Sequence, residues 1–142
     1  MAFIGPLEDR IYIRELQESF ADAINRKAKE EWLTFWADDG VWIAGALSAT
    51  GKSEIADQWE KFYSPFNPSR NNETRFYRST PAEIIINEFS ASARSYIEVL
   101  IIYSGTLTQK LYYYVCEEKF ICRDNKWMIT HRQTSRFHPR EI

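Results

Sequence analysis

The stretch RKAKEEWLTFWADDGVWI, Arg26 to Ile43, marks where the chain stops being helix and becomes sheet. Trp32, Leu33, Phe35 and Trp36 recur at the three- and four-residue steps of one helical face. The acidic Asp38-Asp39-Gly40 then ends the periodic run, and Val41-Trp42-Ile43 opens a strand. The spacing therefore predicts a helix carrying Trp32 to Trp36, followed by a strand over Val41–Ala44. Most of the chain beyond this point reads as sheet able to fold over an aromatic-lined helical layer.

Upstream, Gly5-Pro6 is a helix-entry signal, and Glu8 and Asp9 suit the positive end of a helix. Ile13, Leu16, Phe20, Ala23 and Ile24 form its apolar stripe, and Asn25-Arg26-Lys27 breaks it. Downstream, Gly45 to Thr50 is a small-residue loop or hairpin. A further helix starts at Gly51, with Glu54 placed to reach back to its cap. Ile55, Trp59, Phe62 and Tyr63 are its apolar stripe, and Ser64 to Thr74 is a loop rich in Pro and Asn, long enough to rim a pocket. Four strands then follow: Phe76–Ile86, Ala91–Tyr103, Lys110–Arg123 and Lys126–Phe137. The turns are short, with Asp124-Asn125 a tight hairpin turn, so the sheet is expected to be mostly antiparallel. Helices first and a strand meander afterwards is an α+β order. No repeat or linker divides residues 1–142, which suit one domain.

Composition narrows the function classes. Apolar residues make up 44% of the chain, enough for a core, and aromatics 15%, which suits a ring-walled cavity. A formal charge of −2 gives no field for a polyanion, so nucleic acid is not an expected partner. The opening lacks a charged-then-apolar leader and no run approaches a membrane span, which leads us to expect a cytoplasmic protein. Cys116 and Cys122 stand six apart on one predicted strand, about 20 Å at ~3.3 Å per residue, too far to bridge. They read as small core residues in a reducing compartment.

Strand alternation nominates the residues that face a pocket. On the third long strand the even set is Tyr112, Tyr114, Cys116, Glu118, Phe120 and Cys122. It is the more apolar set, so Glu118 is expected to point inward, with a raised pKa if it is unpaired and desolvated. On the last strand Trp127, Ile129, His131 and Gln133 share a face, which turns His131 inward. On the first, Phe76, Arg78 and Thr80 share a face. A Glu118–His131–Arg78 set could do acid–base work or hold an anionic group; equally, Glu118 could pair with Arg78 structurally. Ile97, Val99 and Ile101 make one face of the second strand apolar, and the Tyr96–Glu98 face looks covered too, which calls for a second layer such as another subunit.

Other motifs fail on context. Ala46 to Ser53 (ALSATGKS) loosely matches a phosphate loop, but that loop belongs to parallel α/β sheets, and a helix start explains the same residues. His131 and His138 are the only histidines and neither sits in a ligand-like cluster, so no metal site is expected. No Gly-x-Ser-x-Gly elbow is present.

Ile13-Arg14-Glu15-Leu16, Phe20 to Arg26, Trp32 and Trp36 to Trp42 together resemble the opening of the SnoaL-like family, within the nuclear transport factor 2-like superfamily. Gly51-Lys52-Ser53-Glu54-Ile55 resembles its second signature, and Asp124 to Ile129 with Arg132 its closing hairpin. The resemblance spans about residues 9 to 135. It implies a cone: a curved, mostly antiparallel sheet wrapped around helices, with a deep apolar pocket and often a dimer packed through the sheet. It implies relatives such as polyketide cyclases, dehydratases and ketosteroid isomerases, several of which work with an acid–base pair and no metal or cofactor. The chain departs from that pattern at Asn25, where many relatives carry Asp, and at Phe76, where many carry His.

The leading expectation is thus a cofactor-independent lyase or isomerase acting on a hydrophobic cyclic or polyketide-like molecule. Glu118 would be the base and His131 or a tyrosine the acid, with Asn25 and Arg78 orienting a carbonyl. Trp36, Trp42, Tyr63, Phe66, Phe76 and Tyr114 would bind the substrate. On that reading Glu118→Gln stops turnover and leaves the fold intact. The alternative is a non-catalytic ligand-binding or assembly module, for example one like a dioxygenase β subunit.

Overall fold

The computed structural model describes residues 2–64 and 72–138. Its elements run β1 (Phe3–Ile4), α1 (Leu7–Asn25), α2 (Lys29–Thr34), β2 (Trp36–Ala44), β3 (Leu47–Thr50), α3 (Gly51–Phe62), β4 (Glu73–Asn87), β5 (Ser90–Tyr103), β6 (Gln109–Arg123) and β7 (Lys126–Arg136). The strands form one curved, unclosed sheet in the order β1-β4-β5-β6-β7-β2-β3. The meander β4 to β7 is antiparallel throughout, whereas β1 joins β4 and β2 joins β7 in parallel. The α+β cone expected from the sequence is the fold observed, with α1 laid along the concave face against β4.

Local chemistry explains the element ends. Lys27 takes φ +58° and turns the chain from α1 into α2. Asp124 and Asn125 take φ +53° and +61°, the pairing a two-residue hairpin between right-twisted strands requires. Glu54 Oε1 accepts from the Thr50 backbone N–H at 3.2 Å, the reach-back read at the start of α3. Lys52 sits 3.6 Å from Asp38 as a surface ion pair.

One boundary differs from the sequence reading. Trp36 opens β2 rather than closing a helix. The Ile129 N–H donates to the Phe35 carbonyl at 2.8 Å, and Trp36 pairs with Ile129, so β7 draws the chain out of helix early. The register then shifts before Val41. Gly40 allows this, because a Cβ there would lie 3.0 Å from the Trp36 ring and 3.2 Å from the Ile129 carbonyl.

The core lies between the helices and the concave face, and its centre is Trp32. Its ring lies 5.3 Å from Phe20, 5.6 Å from Trp36, 5.4 Å from Trp42 and 4.9 Å from Trp59. These tilted and edge-on pairs each add about 0.5–1.5 kcal/mol beyond area burial. They also weld α1, α2, α3 and β2 into one wall.

Two single-residue bulges decide which side chains face the core. Pro81 pairs with Ser95 and Glu83 with Arg94, leaving Ala82 as an extra residue in β4. Lys119 pairs with His131 and Phe120 with Ile129, leaving Thr130 as an extra residue in β7. The Thr130 hydroxyl donates to the Lys119 carbonyl at 3.2 Å across that bulge. Each bulge inverts the inward set of its strand.

Candidate functional site

On β6 alternation runs unbroken through Tyr114, Cys116, Glu118 and Phe120, and these residues face inward. Glu118 is 2% exposed. Its carboxylate is held from two sides: Gln17 Nε2 of α1 donates to Oε1 at 2.9 Å, and Arg132 Nη1 of β7 donates to Oε2 at 2.6 Å. Arg132 is itself 5% exposed and its guanidinium lies 3.9 Å over the Phe20 ring. Burial works against the Arg132 charge. The Glu118 carboxylate, by its charge and its hydrogen bond, outweighs it and holds the guanidinium above its ordinary pKa. Beside it, burial pushes the Cys116 thiol up to about 12, which leaves it neutral and unreactive at ordinary pH.

This buried ion pair borders a cavity of about 140 Å³ inside the cone. Gln17, Phe20, Ala21 and Ile24 of α1 form one wall. Trp42 and Ala44 of β2, with Phe62 and Tyr63 at the end of α3, form a second. Arg75 and Tyr77 of β4, Ile97 and Val99 of β5, and Tyr114 of β6 complete it, with Arg132 and Thr134 of β7 beside them. The lining combines an apolar body with two guanidinium groups and three phenols. Arg75 pairs with Glu73 at 2.9 Å. Among the described residues no His, Asp or Glu lines the cavity, and no three His, Cys, Asp or Glu cluster as a metal would need.

The nominated residues fall in different places. Trp42, Tyr63 and Tyr114 line the cavity, and Glu118 lies directly behind it, tied to its Arg132 and Gln17 walls. Trp36 is fully buried but packs behind Trp42, outside the lining. Phe66 lies outside the described residues.

The remaining nominations fall elsewhere. The bulge at Thr130 turns Arg132 inward and His131 outward, where His131 shares an outer polar groove with Glu117, Lys119 and Gln133. The bulge at Ala82 turns Arg75 and Tyr77 inward and sends Phe76 and Arg78 to the convex face. Phe76 is 52% exposed there, and Arg78 pairs with Glu98 at 2.9 Å rather than with Glu118. Asn25 does not reach the cavity lining. Its Nδ2 donates to the Tyr77 carbonyl at 2.8 Å and its Oδ1 accepts from the Tyr77 N–H at 2.7 Å. Both ends of the amide are spent clamping β4 to the end of α1, which places Tyr77 in the wall.

Simple alternation missed Arg132, Arg75, Tyr77 and Gln17, although two signals were available. Pro81 within a strand points to a bulge, because proline cannot donate to the ladder. Gln17 lies four residues after Ile13 and four before Ala21, so helical spacing puts it on the buried face.

Known proteins share this architecture. A family model described as SnoaL-like domain matches residues 5–133. No curated protein matches the sequence. Among solved structures, a protein with a cystatin-like fold from Nostoc punctiforme is similar over 96% of each chain, at 20% identity and a TM-score of 0.77. A ketosteroid isomerase-like protein from Erwinia carotovora atroseptica is similar over 94% of this chain and 100% of that one, at 19% identity and a TM-score of 0.76. A hexachlorocyclohexane dehydrochlorinase from Novosphingobium barchaimii is similar over 93% and 88%, at 14% identity and a TM-score of 0.75. At such identities the likeness is one of fold.

Proposed function

The chain belongs to the SnoaL-like domain family, and on that premise we propose that its cone is the active site of a lyase- or isomerase-type enzyme. The substrate is a small, largely apolar cyclic molecule bearing a carbonyl oxygen. The observation that carries this reading is Arg132, a buried guanidinium at the cavity wall, locked by Glu118. A fixed donor in a dry site stabilises charge as it develops on an oxygen, at no cost in reorganisation. Glu118 positions Arg132 rather than acting as the base, since it sits behind the lining, tied to Gln17 and Arg132, and does not itself face the cavity. The phenols of Tyr63, Tyr77 and Tyr114 are the proton-transfer groups at hand. The cavity volume matches one ring, because an apolar cavity of ~150 Å³ holds benzene. That favours a single ring over a fused polyketide skeleton.

A second reading, ligand binding without turnover, is favoured by the lack of a carboxylate or imidazole among the described lining residues. Cyclohexanone in heavy water separates the two, with proton exchange next to the carbonyl followed by NMR. Exchange faster than in Arg132→Met by about 10²-fold, the usual loss on removing one oxyanion donor, supports the enzyme. Binding without faster exchange supports the carrier. Absence of both overturns a plain ring ketone as the substrate.

The partner we propose is a second copy packed on the convex face. Phe76, Leu100 and Leu111 stand opposite one another there across β4, β5 and β6, and Phe76 and Leu111 are about half exposed. Light scattering on the purified protein tests this, and a monomer at all concentrations overturns it.

A further inference from the structure

Gln17 is 1% exposed and lines the cavity, yet its Oε1 has no hydrogen-bond partner among the described residues. Its orientation is set by chemistry. Glu118 Oε1 can only accept from Gln17, so the amide nitrogen must face the carboxylate and the amide oxygen must face away. Leaving such an acceptor buried and unmet is costly, and native proteins rarely do so without a use for it.

Gln17 and Arg132 are bound to the two oxygens of one carboxylate, so they stand side by side. Their other ends differ in kind: Arg132 retains N–H donors, whereas Gln17 offers a bare acceptor. From this geometry we infer that the polar end of the cavity reads a neutral ligand carrying a hydrogen-bond donor next to its carbonyl oxygen. The carbonyl oxygen takes an Arg132 N–H, and the neighbouring O–H or N–H of the ligand donates to Gln17 Oε1. Cyclic amides, enolised ring diketones and ring ketones with a neighbouring hydroxyl meet that demand. A plain ketone leaves Gln17 unmet. A carboxylate brings a second anion against Gln17 Oε1 and Glu118, with no hydrogen to offer. Glu118 thereby sets specificity indirectly, as it fixes which face of the Gln17 amide the ligand meets.

This inference rests on the cavity being the ligand site, and a matched series tests the two separately. The probes are 2-piperidinone, N-methyl-2-piperidinone and cyclohexanone, each one six-membered ring. Trp42 lines the cavity, so the quenching of tryptophan fluorescence in the intact protein reads binding. We expect 2-piperidinone to bind about tenfold more tightly than either ring without a donor, the yield of one hydrogen bond to an otherwise stranded group. Gln17→Met is expected to level the series. Should that variant fail to fold, the wild-type series decides alone. Equal affinity for 2-piperidinone and its N-methyl form overturns the donor–acceptor reading and leaves the site standing. No binding by any of the three overturns the site itself.

Discussion

Replacing Glu118 by Gln is the sharpest test of how this cone is built. The sequence pattern treats Glu118 as a lone inward acid, and from that view the change costs activity but not stability. The structure reverses the second half of that expectation. Glu118 and Arg132 are 2% and 5% exposed and joined at 2.6 Å, so the carboxylate is what neutralises a buried guanidinium. Removing one partner of such a pair costs about 3–5 kcal/mol. The entropy of unfolding is about 2.1 cal/mol/K per residue, or roughly 0.3 kcal/mol/K for this chain, so the melting temperature falls by about 10–17 °C. Gln17 can rotate its amide to accept from the amide nitrogen that Glu118→Gln introduces, which rescues one hydrogen bond but not the lost charge. Arg132→Met should cost less, because a stranded carboxylate can take up a proton whereas a guanidinium keeps its charge. Glu118→Leu combined with Arg132→Met removes both charges and should be milder than Glu118→Gln alone. Thermal and urea unfolding of the three variants at neutral pH measures these three costs. If Glu118→Gln melts within about 1 kcal/mol of the wild type, a buried and obligatory ion pair is the wrong description.

Three further outcomes follow from the same packing. Asn25→Ala removes both bonds to the Tyr77 backbone and should destabilise the fold by about 1–3 kcal/mol in urea unfolding, with looser ligand binding through the displaced Tyr77. The Cys116 thiol, raised from an ordinary 9.0 to about 12, favours the folded state while protonated. Its contribution is present below pH 9, where both states hold the proton, and is lost as the pH climbs toward 12, where the unfolded chain sheds it first. Melts between pH 8 and about 10.5 should therefore slope downward, less steeply in Cys116→Ala. Leu111→Glu on the convex face should leave the melting of the single chain within ~0.5 kcal/mol, as for other exposed sites, yet halve the mass found by light scattering if two copies pack there.

The order of elements was legible in the sequence because it depends on local chemistry. The apolar stripe of α1, the Asp124-Asn125 turn, the Glu54 reach-back and the long strands each follow from residues close in the chain. The inward placement of Glu118 was also legible, since β6 keeps strict alternation from Tyr114 to Phe120. The identity of the cavity wall was not. A strand has a period of two, so a single extra residue exchanges its faces. Whether Ala82 and Thr130 are extra depends on which residues of β5 and β6 lie opposite them. That register exists only once the sheet has assembled, and it put Arg132, Arg75 and Tyr77 where alternation had put His131, Arg78 and Phe76. Sequence alone determined that a cone would form around ringed helices with one acid turned in; tertiary pairing decided that the acid would hold Arg132 at the cavity wall.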